Sequence, residues 1–156
     1  MNQLNHSLTK PDHYIAGRLI EPLEVIEEWQ LNYHMGNALK YIARAGRKVC
    51  EKTDLEKALV YLDRFMRNCT VATASGYIKK EKRFSIENIA HDWDLDPHLK
   101  SALHSLYLAT REFPPSHVEK AMKAINLRLK ALKSQNNAVN ENSKAKFKKN
   151  LKRVNI

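Results

Sequence analysis

Three cations stand four residues apart in the first third of the chain: Lys40, Arg44 and Lys48. On a helix that spacing puts all three on one face, where like charges repel one another. An acidic partner or a bound anion relieves the repulsion, so the stripe is a candidate grip for phosphoryl oxygens. Other polar residues surround it: Gly36, Asn37 and Tyr41 on the same segment, then Lys57, Tyr61 and Arg64 further on. A glycine inside a helix costs up to about 1 kcal/mol relative to alanine, which is understandable where something must approach the backbone. Upstream, His13 and Tyr14 follow Lys10-Pro11-Asp12. An imidazole there can serve as acid, base or phosphate ligand near neutral pH. The plainer reading of the same residues is a solvated basic face, a packed His-Tyr pair and snorkelling side chains.

What must position these residues is a helical unit that occurs twice. Glu28-Trp29-Gln30-Leu31 reappears 64 residues on as Asp92-Trp93-Asp94-Leu95, and His34, Ala38, Leu39 and Arg47 meet His98, Ala102, Leu103 and Arg111. After one deletion Glu56-Lys57-Ala58 meets Glu119-Lys120-Ala121. The repeat predicts helix one over residues 22–30 and 86–94, with Pro22 in the first turn and Ser85 as cap. Helix two is expected over about 32–46, stopped by Gly46, and again from the Asp96 cap and Pro97 to about 112. Helix three is expected over 54–69 and 116–133, each opened by a capping box, Thr53-x-x-Glu56 and Ser116-x-x-Glu119. Leu55, Ala58, Leu59, Leu62 and Met66 follow the spacing of one buried stripe, repeated by Val118, Ala121, Met122, Ile125 and Leu129. Nothing reads as a strand. Three short helices bury little alone, so the expected fold is all-α: two tandem, pseudo-symmetric three-helix units packed as a helical bundle. The chain divides into a first unit (1–69), a connector (70–84), a degenerate second copy (85–133) and a polar linker with a basic tail (134–156). The second copy keeps the apolar framework but not the polar set. Gly36, Asn37, Lys40, Tyr41 and Arg44 meet Lys100, Ser101, His104, Ser105 and Leu108.

Composition narrows the partners. The 156 residues are 43% hydrophobic and 28% charged, with 27 Lys and Arg against 17 acids and a net charge of +10. Such a surplus favours anionic partners. Much of it lies in Lys144 to Arg153, KAKFKKNLKR, a tail that reads as solvated or as an arm for nucleic acid; ahead of it SQNNAVNENS has no periodicity and reads as a linker. Mean hydropathy is -0.57. No apolar run approaches the ~18 residues of a membrane span, and the N-terminus lacks the apolar core of a secretory signal. Two cysteines outside any CxxC make neither a disulfide framework nor a metal site. A reduced, cytoplasmic protein is expected, with no membrane partner and with a homo-oligomer as one way to complete the bundle.

The ordered set Lys10-Pro-x-His13-Tyr14, Ile20-Glu21-x-x-Glu24-Val25-Ile26, Gly36-Asn37-x-x-Lys40-Tyr41-x-x-Arg44-Ala45-Gly46-x-Lys48 and Asp54-Leu55-x-Lys57-Ala58 with Tyr61 resembles the phage domain called SaV-like, DUF3310. That domain also forms the C-terminal part of the phage T7 nucleotide kinase. The resemblance covers residues 10 to 67 and implies phosphorylation of deoxynucleoside monophosphates from ATP with Mg2+, in a host cytoplasm, by an enzyme without a P-loop. No GxxxxGK[ST] occurs here, so phosphate must be held by side chains and helix ends. On this reading His13, Lys40 and Arg44 are the catalytic candidates. Tyr14, Gly36, Asn37, Tyr41, Lys48, Lys57 and Tyr61 bind the nucleotide, and Glu24 or Asp54 holds the magnesium ion.

Two other functions fit the residues. Glu24-x-x-Glu27 and Glu51-x-x-Asp54 loosely match the magnesium motifs of all-helical MazG-like nucleoside-triphosphate pyrophosphatases, although Glu51 is expected just ahead of its helix. The third reading is a nucleotide- or nucleic-acid-binding accessory protein without catalysis, using the basic tail.

Overall fold

The structure, a computed structural model, describes residues 17–47, 50–69, 83–112 and 114–154, and among them six helices and no strand. They are α1 (Pro22–Glu28), α2 (Tyr33–Arg44), α3 (Glu51–Asn68), α4 (Ile86–Asp92), α5 (Pro97–Leu108) and α6 (Pro114–Val154). The all-α expectation holds.

Cap chemistry accounts for most of the starts. Pro22 opens α1, and the Glu24 carboxylate accepts the Glu21 N–H at 3.1 Å. Asn32 accepts the His34 and Met35 amides at 3.0 Å each to start α2. Ser85 and Asp96 do the same for α4 and α5, at 3.1 and 2.8 Å. Each of these bonds satisfies an amide that the helix itself leaves without a partner.

The two expected capping boxes are corrected. Cys50 occupies the N-cap of α3, so Glu51 lies on the helix and Thr53 inside its first turn. Glu51 and Asp54 in that turn suit the positive end of the helix dipole. Likewise α6 opens at Pro114, two residues ahead of Ser116. The expected linker over 134–143 is also corrected, because α6 is helical for 41 residues straight through it. No glycine or proline occurs after Pro115 to break it.

The local geometry repeats as the sequence does. α1 and α4 have seven residues each, and α2 and α5 have twelve. Gln30 and Asp94, 64 residues apart, both take left-handed backbone at φ 48° and 52°. Around them Leu31 donates to the Ile26 carbonyl at 3.0 Å and Leu95 to Ala90 at 2.9 Å. These are the same six-to-one closure of a helix end.

Within each unit α2 packs on α3 and α5 on α6; across the units α3 meets α6 and α2 meets α5. The buried side chains form one continuous core, with Trp29, Leu39, Ile42, Leu55 and Leu62 from the first unit and Trp93, Leu103, Leu106, Val118 and Ile125 from the second. Backbone bonds then tie the units in both directions. The Leu19 and Ile20 amides donate to the two carboxylate oxygens of Asp92, at 2.9 Å each. The Arg83 and Phe84 amides donate to Oε1 of Glu28, at 2.7 and 3.3 Å. Donors and acceptor of one clasp are the donors and acceptor of the other, moved by 64 residues. Arg128 on α6 adds a tie, donating to both carboxylate oxygens of Glu51 at 2.6 and 3.0 Å and pairing with Asp96 at 2.9 Å. Arg18 lies buried in the seam, where it donates to the Ala43 and Trp93 carbonyls and its guanidinium sits 5.4 Å from the Trp93 ring centre. Burial, together with Arg47 and against the opposing Asp92, lowers its pKa to about 10.

Candidate functional site

The polar residues that set the first unit apart lie on α2 and α3, which pack side by side. Tyr33, Asn37 and Tyr41 follow one another at four-residue steps along α2, and Lys57, Tyr61 and Arg64 share a face of α3. Their rings meet. Tyr41 stacks on Tyr61 with centroids 5.8 Å apart and planes at 23°. Tyr33 meets Tyr61 edge-on at 6.0 Å, and His34 lies 5.5 Å from Tyr33 and 6.4 Å from Tyr61. Tyr33 is 71% exposed, so much of its ring is open to solvent. The exposed Lys57 places its ammonium 5.7 Å from the Tyr41 ring centre. The hydrogen bond with Tyr33 raises the Tyr61 phenol above its usual pKa, and the nearby Arg64 opposes the shift. Nδ1 of His34 is buried without a hydrogen-bond partner, the kind of polar atom that native proteins satisfy with water or a ligand.

The expected cationic stripe is not what Arg44 contributes to. Its guanidinium grips the Asp54 carboxylate, with Nε 3.1 Å from both oxygens and Nη2 closer still. The two side chains are only 12% and 5% exposed. A buried carboxylate demands a counter-charge, and Arg44 supplies it while lying 4.7 Å from the Tyr41 ring centre. Arg44 therefore orients Tyr41 and neutralises Asp54. Lys40 is half-buried on the same helix. Lys48, His13 and Tyr14 lie outside the described residues.

Gly36 has a packing reason. An added Cβ would meet Cγ2 of Ile26 at 3.2 Å, so the close approach expected at this glycine is made by α1. Asn37 donates to the Tyr33 carbonyl at 2.7 Å, which fixes its side chain along α2.

The carboxylates expected to hold magnesium are engaged elsewhere. Glu24 closes the α1 capping box and lies 3.6 Å from Arg83, while Asp54 belongs to Arg44. In the pyrophosphatase pattern, Glu51 is taken by Arg128 as well. Among the described residues no group of three or more metal-ligating side chains forms.

The second unit lacks this face, since Pro97, Ser105 and Ala124 stand where Tyr33, Tyr41 and Tyr61 do. It has instead a hollow of about 270 Å³ between α4 and α5, where Lys100 sits 3.9 Å from Glu87. Sequence reasoning had named Tyr41, Tyr61 and Lys57 but missed Tyr33 and the role of His34. The readable signal was Tyr33 opposite Pro97, one more polar residue confined to the first copy.

No helix of the described residues is long and apolar enough to cross a membrane. No curated protein and no solved structure matches the chain. Residues 8–63 match the family described as a protein of unknown function, DUF3310. That match covers under half of the 156 residues and takes in the tyrosines and lysines of α2 and α3, so this part of the chain is similar to DUF3310.

Proposed function

We propose that this chain handles nucleotides. The α2–α3 face of the first unit receives a nucleotide, its base against the tyrosines and its phosphate toward Lys57 and Lys40. The observation that carries the reading is the meeting of an exposed Tyr33, Tyr61 and Tyr41 with a lysine on one face, in the unit that keeps the family's residues. Aromatic rings offer every base a stacking surface, and a cation beside them offers the phosphate a charge. The activity is transfer of a phosphoryl group from ATP to a deoxynucleoside monophosphate, as the family resemblance implies. In it Lys40 and Lys57 hold phosphoryl oxygens, His13 is the acid–base candidate, and Arg44 positions Tyr41. Mg2+ enters this reading with ATP, as the family resemblance implies.

The test is to incubate the chain with each deoxynucleoside monophosphate, ATP and Mg2+ and to resolve the products by anion exchange. Diphosphates are expected from at least one base. Tyr61→Ala is expected to weaken binding about tenfold, in line with the ~1–3 kcal/mol of a base–aromatic stack, and Lys120→Ala, at the place in the second unit that matches Lys57, should change nothing. No diphosphate and no bound nucleotide with any base overturns the proposal; pyrophosphate released from a triphosphate alone would point to the pyrophosphatase instead.

A further inference from the structure

We infer, resting on the nucleotide reading above, that the base stacks on Tyr33 and that Arg64 and Lys57 are two successive stations for its phosphates, so that the face takes a nucleoside triphosphate in preference to a monophosphate. Exposure selects the ring. Tyr41 is half-buried, with Tyr61 stacked on it and the cations of Arg44 and Lys57 lying 4.7 and 5.7 Å from its centre. Tyr61 is half-buried as well, between Tyr41 and the edge-on Tyr33. Tyr33 is the most exposed of the three and has a ring face to offer a base.

The register of the two helices then sets the distances. They run antiparallel, since Arg44 at the end of α2 meets Asp54 in the first turn of α3, while Tyr33 at the start of α2 meets Tyr61 further along. Lys57 stands beside Tyr41. Tyr33 is eight residues back from Tyr41 on α2, and Arg64 is seven forward from Lys57 on α3, so the exposed ring and Arg64 lie at one level. At 1.5 Å per residue that level is about 10 Å from Lys57 along the helix. The phosphate nearest a base on Tyr33 falls to Arg64, and a chain of further phosphates laid along the face is needed to reach Lys57.

The pairing on α3 leaves these two cations to a ligand. Glu51 is taken by Arg128, Asp54 by Arg44, Glu56 by Lys52 and Asp63 by Arg67. Lys57 and Arg64 are exposed cations of the same helix with no such pair among the described residues, and each can donate a charge-assisted hydrogen bond to a phosphate oxygen. In the second unit Pro97 and Leu127 stand in the places of Tyr33 and Arg64. The platform and the first station are lost together there, although Lys120 keeps the place of Lys57.

The experiment is calorimetric titration of the full chain with the mono- and triphosphate of each of the four deoxynucleosides, Mg2+ being present throughout. The unaltered chain is expected to bind at least one triphosphate about tenfold more tightly than the matching monophosphate, as one hydrogen bond between charged groups would give. Glutamine keeps a good helix former at either position. Lys57→Gln should lose that tenfold and leave the monophosphate unchanged, whereas Arg64→Gln should weaken both about tenfold and keep their ratio. A monophosphate held as tightly as its triphosphate overturns the inference and leaves the nucleotide reading standing. So does a Lys57→Gln chain that loses both ligands alike, or an Arg64→Gln chain that loses neither. A chain that binds none of these nucleotides overturns both.

Discussion

Arg44 shows how a residue type can be read correctly and its use misjudged. Its charge stands in the expected row with Lys40 and Lys48, but its side chain is turned to Asp54 and nearly removed from solvent. Removing one member of such a pair leaves a buried charge uncompensated, at a cost of about 3 kcal/mol or more. Arg44→Ala is therefore expected to lower unfolding stability by that amount in urea titration. Lys52→Ala, which breaks an exposed i,i+4 pair 3.6 Å long with Glu56, should stay within about 0.5 kcal/mol. If both variants unfold alike, Arg44 is an ordinary surface cation after all. The sequence could not separate them, because Asp54 lies ten residues away on another helix and nothing local announces the encounter.

Among the elements, α1 and α2 pack closely because Gly36 has no side chain where Ile26 crosses it. A larger residue must push α1 away, and overpacking of this kind costs about 1–3 kcal/mol. Gly36→Leu is expected to lose that much stability by denaturant titration, while Gly36→Ala, if Ile26 yields a few tenths of an ångström, should leave nucleotide affinity within about twofold. An alanine that abolishes binding without disturbing the fold would mean that the ligand, and not α1, needs the bare backbone. The starts of α1, α2, α4 and α5 were legible because Pro22, Asn32, Ser85 and Asp96 carry their cap chemistry locally. The starts of α3 and α6 were not, since Thr53-x-x-Glu56 and Ser116-x-x-Glu119 have the letters of a capping box without the extended backbone that a cap requires. The length of α6 was hidden by its polar composition; the absence of glycine and proline was the better guide.

At the scale of the whole molecule, the two units hold each other by the same bond given in both directions. Asp92 uses both oxygens at 2.9 Å on Leu19 and Ile20, whereas Glu28 uses one at 2.7 and 3.3 Å on Arg83 and Phe84. Hydrogen bonds to a charged acceptor contribute about 1.5–3 kcal/mol when well made, less where solvent competes. Asp92→Ala is expected to cost about 2 kcal/mol and Glu28→Ala less, each with a single unfolding transition seen alike by circular dichroism and tryptophan fluorescence. Two separated transitions would show that the units fold apart and that the continuous core does not couple them. The matching turns after α1 and α4 were readable from Glu28-Trp29 and Asp92-Trp93. The reciprocal clasp was not, because its donors are backbone amides some seventy residues from one acceptor and fifty-five from the other, and amides have no sequence signature.

The nucleotide face is tested most directly by following aromatic ring resonances while each deoxynucleoside monophosphate is added in turn. Tyr33 and Tyr61 should shift with saturating dependence on at least one of them, while Tyr107, packed against Trp29 at the seam with centroids 5.1 Å apart, stays where it is. Shifts confined to rings outside the first unit's α2–α3 face, or no shift with any of the nucleotides, would contradict the account.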